Sequence, residues 1–583
     1  MADARPLAAA IAIRGEHIVG VGSLEELKPL AGAQTRTYDL NGRTVIPGIN
    51  DTHIHVRDLG FDQSNSVNLI EGARSIALVQ RLLRERLEQL RKDGRLGRWT
   101  YPITGETGPW LFGNSWTQDR LAEKRMTNRH ELDAVSRDIP ISLVRLYNGI
   151  AVNTKVFELL GIRFGDPTTY PNWFKKDPPN LPPGDVIFRD RESGLPDGVF
   201  LGTEAPRLVA KAIPSKTFEQ QVDSLVSGLK VLASFGVTSI VEAGSQIGRV
   251  TKAYQAARAA GPLPLRVTIY DGWYRSGDPE GLGDPKAIAE RAKLLGSPNT
   301  GDRMFRVRGI KSSADGGVGS RSAALSVPYL PSAADRLGRS NSGVLRDPDT
   351  EYRFKQFEPL AEHGWEIHTH ACGDVAIRQT MDVYRRLLDR IKARNPAADP
   401  RWSIIHNYLP NEPVTSVIKE MADYGVIAAI QPAFLYYQGD SFLANLGPER
   451  MARHTPFQTF LKAGILMAYG SDYPSNSADP WAGLYAMRTR KDQITGRAFG
   501  PEERLSMQDA LEVMTINGAY LTFDERERGS LEAGKLADLV VIDADLANAR
   551  DEDLPTMASK VVLTMVGGRI VHQRQGFTLT TAR

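Results

Sequence analysis

The 583-residue chain holds a single cysteine, Cys372. No internal disulfide can form, and no cysteine-based zinc site is expected, which leaves His, carboxylate or lysine-derived ligands for any transition metal. No apolar stretch approaches the roughly 18 residues of a membrane span, so no membrane association is expected. An excess of one charge is also missing: 72 Lys and Arg nearly balance 69 Asp and Glu. With no basic run carrying interleaved aromatics, nucleic-acid binding is not expected either. Residues Met1 to Ala10 lack the basic start and apolar core of a signal peptide, which points to the cytoplasm. The alternative is export with an upstream segment removed, because the strand-like run Ala9-Ala10-Ile11-Ala12-Ile13 begins almost at once.

What is present alternates. Short β-branched and aliphatic runs are separated by longer stretches of helical periodicity, the pattern of parallel β/α units. After a first strand at His53 and His55 come Thr238–Ala243, Leu265–Tyr270, Val307–Lys311, Glu366–His370, Ser403–His406, Val426–Gln431 and Leu466–Ser471. Eight such strands predict an α/β fold, a (β/α)8 TIM-like barrel, with its active site where the strands end. The barrel is expected over 47–526, with a large insertion or lid after strand one at about 58–237. That insertion carries its own helix, Ser75–Asp93, its own strand, Ile141–Leu146, and a Pro/Gly-rich segment from Gly165 to Gly198. Both termini, 1–46 and 527–583, are expected to build a small β-sandwich domain. Its strands are a hairpin over Ala9–Gly22 and the runs Leu539–Ile542, Val561–Val566 and Arg569–His572.

The unusual residues gather at strand ends. His53 and His55 lie two apart, so in a strand both imidazoles face one side and can share a metal ion. Alone, the pair could equally be structural. Lys311 ends an otherwise apolar strand, where an unpaired ammonium beside a dication would be costly. Either it snorkels outward or it carries CO2 as a carbamate, gaining a negative charge and two oxygens able to bridge two metals. Its position favours the carbamate. His368 and His370 share a face, so one or both could ligate. His406 ends the next strand. Asp472, in Gly470-Ser471-Asp472-Tyr473-Pro474, could bind metal and take a proton from activated water. The alternative is a helix cap.

These residues carry a resemblance. The chain resembles the amidohydrolase superfamily, and within it the amidohydrolase-3 or YtcJ-like group, which includes N-substituted formamide deformylases. The match runs over nearly the whole chain, through Val45–His55, Glu131–Ser136, Gly236–Ser239, Lys311–Leu325, His370–Ile377, Gly470–Pro474 and Gly529–Val541. The resemblance implies a metal-dependent hydrolase of an amide C–N bond, such as an N-acyl or N-formyl amine. It implies two Zn2+ ions, with a mononuclear site or another divalent metal as alternatives. His53, His55 and Asp472 would bind one ion and His370 and His406 the other, bridged by carboxylated Lys311. A metal-activated hydroxide would attack the carbonyl, with Asp472 carrying the proton to the leaving nitrogen. One departure stands out. Family members often carry a histidine in the insertion, and Asn148 takes its place in Asn148–Asn153. Either another group polarises the carbonyl, or the substrate differs.

Candidate substrate-binding residues are Trp116, Asn148, Arg321 and Tyr436. The insertion's large aromatics suit an apolar substrate part, or simply fill a core. Arg321 and Arg490 could hold a carboxylate or anchor loops. The expected partner is a small-molecule substrate, with a homo-oligomer left open. Ester or lactone hydrolysis at the same site is the alternative chemistry, and a non-catalytic scaffold of the same fold the alternative class.

Overall fold

The eight expected strands are present and pair in chain order. In the computed structural model, which describes residues 7–70, 72–97, 99–145, 149–181, 185–202, 204–244, 249–272, 297–331 and 341–581, they are β1 (Ile49–Ile54), β2 (Val237–Ala243), β3 (Arg266–Gly272), β4 (Phe305–Ser313), β5 (Glu366–Ala371), β6 (Ser403–His406), β7 (Ile427–Ile430) and β8 (Met467–Tyr469). Neighbours are parallel throughout. Every residue of β1, β2, β3, β6, β7 and β8 is buried. Strands covered on both faces read as near-continuous apolar runs, which is why they were visible in the sequence.

The first and last strands meet. Thr52 Oγ1 donates to the Tyr469 carbonyl at 2.7 Å, and Asp472 N donates to the His53 carbonyl at 2.8 Å. The Asp51 carboxylate accepts from the amides of His53 (3.2 Å) and Ser471 (3.0 Å) across the same seam. Gly470 is required here, because a Cβ would stand 2.9 Å from the His53 nitrogen.

Three strand ends lie two residues from expectation, the first being β3, which runs on past Tyr270 to Gly272. β4 runs past Lys311 to Ser313, since Ser312 and Ser313 pair with Thr369 and His370 on β5. β8 stops at Tyr469, because Gly470 N turns to the Ile430 carbonyl and Ser471 N to Asp51.

Helices follow the strands. Asp374–Arg394 after β5 shows the logic: Ile377, Met381, Tyr384 and Leu388 are buried at helical spacing, while Lys392 and Arg394 close its last turn. Tyr384 Oη donates to the Ile367 carbonyl at 2.8 Å, tying the helix to β5. Arg528 packs beneath β1, bonding Asp524 Oδ2 at 2.6 Å, Thr522 Oγ1 at 2.8 Å and the Asn50 side chain.

The chain ends share one antiparallel sheet, ordered Arg569–Gln573, Val561–Val566, Leu539–Ile542 and Thr44–Pro47. Gly48 hands this sheet over to β1, where a Cβ would overlap the Thr238 side chain at 2.1 Å.

The chain divides into two units, one holding the barrel and the terminal sheet, the other spanning Arg57–Ser224 with Pro474–Ser477. The second unit has its own six-stranded sheet, in the order Val186–Arg189, Pro196–Leu201, Gly149–Val152, Ile141–Arg145, Leu111–Trp116 and Ser66–Asn68. Its helix Ile76–Lys92 is capped by Ser75 and buries Val79, Leu83, Leu87 and Leu90. No helix among the described residues is long and apolar enough to cross a membrane.

Candidate metal centre

His53 lies on β1 and His55 one residue past its end, two positions on, and their rings stand 5.3 Å apart between centroids. Asp472 meets them from the chain beyond β8. Its Oδ1 lies 3.2 Å from His53 Nε2 and 3.5 Å from His55 Nε2. One donor atom from each of the three lies within 4.8 Å of the others. Lys311 reaches in from β4, its Nζ 3.3 Å from His53 Nε2. His406, from β6, stands 5.4 Å from His53 and 4.3 Å from His370 between ring centroids. All six residues expected from the sequence therefore converge at the C-terminal mouth of the barrel.

The backbone is bent to present them. Asp472 has φ of 55° and His406 of 73°, left-handed values that non-glycine residues rarely adopt. Such conformations cost of order 1–3 kcal/mol and persist where the surrounding structure enforces them. Here the seam bonds on either side of Asp472 do so. Asp472 caps no helix; the next one begins at Pro480 with Asp479 as its cap.

The electrostatics suit electron-pair donors. Burial, then the Lys311 charge, lowers the His53 imidazole to about 3. Burial also lowers His370 and His406, the first further through Lys311 and the second through His370. Neutral imidazole is the ligating form. For Asp472 burial works upward, but His53 and the hydrogen bonds from His53 and His55 hold its carboxyl well below the usual range. Burial lowers the Lys311 ammonium to about 8. His53 and Asp472 side chains are 1% and 9% exposed, against 27% for His55 and 20% for His370.

Four residues at this mouth were not singled out from the sequence. Cys372 lies with its Sγ 3.5 Å from His370 Nε2, and one donor atom each of His370, Cys372 and His406 lie within 4.8 Å of one another. Asp315, after β4, is fully buried and accepts from the amides of Cys372 (3.0 Å), Gly373 (2.8 Å) and Ala324 (2.9 Å). Arg346 donates to Ser313 Oγ at 2.9 Å, and its charge opposes protonation of Lys311 and His370. Glu242, ending β2, faces His55 Nδ1 at 3.9 Å and accepts from Val56 N at 3.0 Å. A carboxylate at the end of a barrel strand was the available signal for Glu242, and the sequence Lys311–Gly317 held one for Asp315.

Other candidates sit elsewhere. His368 shares the face of His370 but lies deeper, stacked on Tyr270 at 3.7 Å and bonded through Nδ1 to Ser403 Oγ at 2.8 Å. Arg321 bonds Asn445 Oδ1 at 3.1 Å and the Leu330 carbonyl at 2.9 Å, over the Tyr329 ring. Arg490 is buried and donates to the carbonyls of Thr455 (2.9 Å), His454 (2.6 Å) and Phe499. Both arginines thus anchor loops. Trp116 is 1% exposed in the core of the second unit, and Tyr436 is half-buried against Tyr437 and Tyr485. Asn148 lies outside the described residues.

A model of the amidohydrolase family matches residues 36–572. The chain belongs to the amidohydrolase family. Among relatives of this amidohydrolase is a putative amidohydrolase, YtcJ, of Bacillus subtilis (strain 168), 26% identical over 97% of this chain and 96% of its own. An N-substituted formamide deformylase of Arthrobacter pascens is 25% identical over 98% of this chain and 97% of its own. The crystal structure of an uncharacterized metal-dependent hydrolase from Pyrococcus horikoshii OT3 superposes with a TM-score of 0.66 at 21% identity, covering 94% of this chain and 95% of that one. The amidohydrolase is accordingly a hydrolase on a TIM-like barrel.

The residues at the barrel mouth fit a divalent metal ion. A nitrogen and an oxygen, each about 2.0–2.2 Å from a tetrahedral zinc, lie about 3.4 Å apart. The His53–Asp472 and His55–Asp472 separations of 3.2 and 3.5 Å bracket that edge. His53 and Asp472 are nearly buried and of the right protonation state, with a charge that a cation would balance.

Proposed function

We propose that this amidohydrolase cleaves an amide C–N bond of a small molecule, of the N-acyl or N-formyl amine class. His53, His55 and Asp472 would hold one divalent cation and His370 and His406 a second, zinc in both cases. Lys311, as the carbamate, would join the two. The observation that carries this reading is the convergence of His53 and His55 on one Asp472 oxygen, at 3.2 and 3.5 Å. A bound cation supplies Lewis-acid activation of water and of the carbonyl.

The chain's own residues do the rest. Asp472, held ionised, can accept a proton at its carboxylate and return it to the departing nitrogen. Cleavage then leaves a carboxylic acid and an amine. Lys311 is buried, which favours the neutral amine, and neutral amine is the form that adds CO2. Addition of CO2 to the neutral amine releases one proton and leaves a negatively charged carbamate among neutral imidazoles. The amide reading, in preference to ester cleavage, is supported by the formamide deformylase among the relatives.

The test is a screen of formamides, N-acyl amino acids, aryl amides and matching esters, run after chelation and again with zinc added back. Zinc-dependent release of amine supports the reading. Turnover of esters without any amide would overturn it.

A further inference from the structure

Of the side chains at the barrel mouth, Cys372 has no place in the six-residue reading. It is the chain's one cysteine and is 2% exposed. We propose that the Cys372 thiolate is a further protein ligand of the second cation, beside His370, His406 and the Lys311 carbamate. The proposal rests on the metal reading above and goes beyond it, since it alters the donor set and the metals that set prefers.

Three observations carry it. First, one donor atom each from His370, Cys372 and His406 fall within 4.8 Å of one another, a second triad beside that of His53, His55 and Asp472. Second, the spacing is right. A nitrogen at about 2.0–2.1 Å and a sulfur at about 2.3 Å from a tetrahedral zinc lie about 3.6 Å apart. The Sγ to His370 Nε2 separation is 3.5 Å. Third, the thiol is held in place. Asp315 clamps the amides of Cys372 and Gly373, and Gly373 admits no side chain, because a Cβ would stand 2.0 Å from the Ala324 carbonyl oxygen.

The chemistry balances simply. Coordination exchanges the S–H bond for a sulfur–metal bond and releases one proton to solvent. A thiolate makes this half of the centre softer, favouring zinc over magnesium or manganese. The competing arrangement is a neutral thiol that only hydrogen-bonds His370, and it leaves no sulfur on the metal.

X-ray absorption at the zinc edge separates the two on the intact protein loaded with zinc. The expected result is a sulfur shell at about 2.3 Å beside nitrogen and oxygen at about 2.0–2.1 Å. In Cys372→Ser the sulfur shell disappears, and half of the bound zinc is lost to a chelator at least about tenfold more readily. Zinc bound through nitrogen and oxygen alone in the wild type would overturn the cysteine ligand and leave the metal reading standing. Failure of the wild type to hold zinc at all would overturn both. The wild-type spectrum decides the matter even if the variant folds poorly.

Discussion

Replacing Asp472 by Asn removes the proton acceptor and changes little else. The left-handed backbone at φ of 55° is one that Asn tolerates as Asp does. The side chains have the same shape, so the amide oxygen can still face His53 and His55. What is lost is a charge and a basic site. A positioned acid–base group contributes about 10²–10⁴ in rate, so turnover per bound metal should fall by about 100- to 10,000-fold, or roughly 3–5 kcal/mol on the barrier. Thermal unfolding in the chelated state should move by less than about 1 kcal/mol. Asp472→Ala is the contrasting variant, and it should be less stable by about 1–2 kcal/mol, lacking the short polar group that eases the left-handed turn. The assay reads turnover, metal content and unfolding on one preparation. An Asp472→Asn variant that keeps its metal and turns over within a few-fold of the wild type would refute the proton-carrying role.

Arg490→Lys should lower stability by about 2–4 kcal/mol, because a lysine leaves buried carbonyls of His454, Thr455 and Phe499 unpaired; KM should not change, and a raised KM at unchanged stability would return Arg490 to the substrate. Acid stability should reflect Asp524. Burial works upward on it, but Arg528 and Arg306 hold its carboxyl at about 2, below its ordinary value of 3.8. A carboxyl depressed in the folded state stabilises above its unfolded pKa, and that contribution, about 2 kcal/mol, drains as pH falls from 3.8 toward 2. Denaturant unfolding across that window should show the slope in the wild type and a shallower one in Arg528→Met; equal slopes would contradict the assignment.

The barrel was legible because its strands are covered on both faces, so each reads as an apolar run whose last residue stands out when it is His, Lys or Asp. Period-two alternation also put His53 with His55 correctly. The same alternation gave His368 and His370 one face but could not give depth. In a barrel, two residues along a strand is a different layer, and the lower layer places His368 against Tyr270 and Ser403. Arg321 and Arg490 were open for a related reason: whether a guanidinium meets a ligand or its own chain's carbonyls depends on loops that no periodicity describes. Cys372 was set aside because a lone cysteine makes no zinc motif. Its partners, His370 two residues back and His406 on the next strand, come together only once β5 and β6 pair.

The central claim is that hydrolysis depends on a cation held by residues from β1, β4, β5, β6 and the end of β8. Elemental analysis of protein purified without chelator, alongside a His53→Asn, His55→Asn double variant, tests it most directly. The account predicts zinc or another transition metal bound in at least equimolar amount in the wild type, with metal and turnover lost together in the double variant. A wild-type protein that hydrolyses its substrate with no bound metal, or a double variant that keeps both, would contradict it.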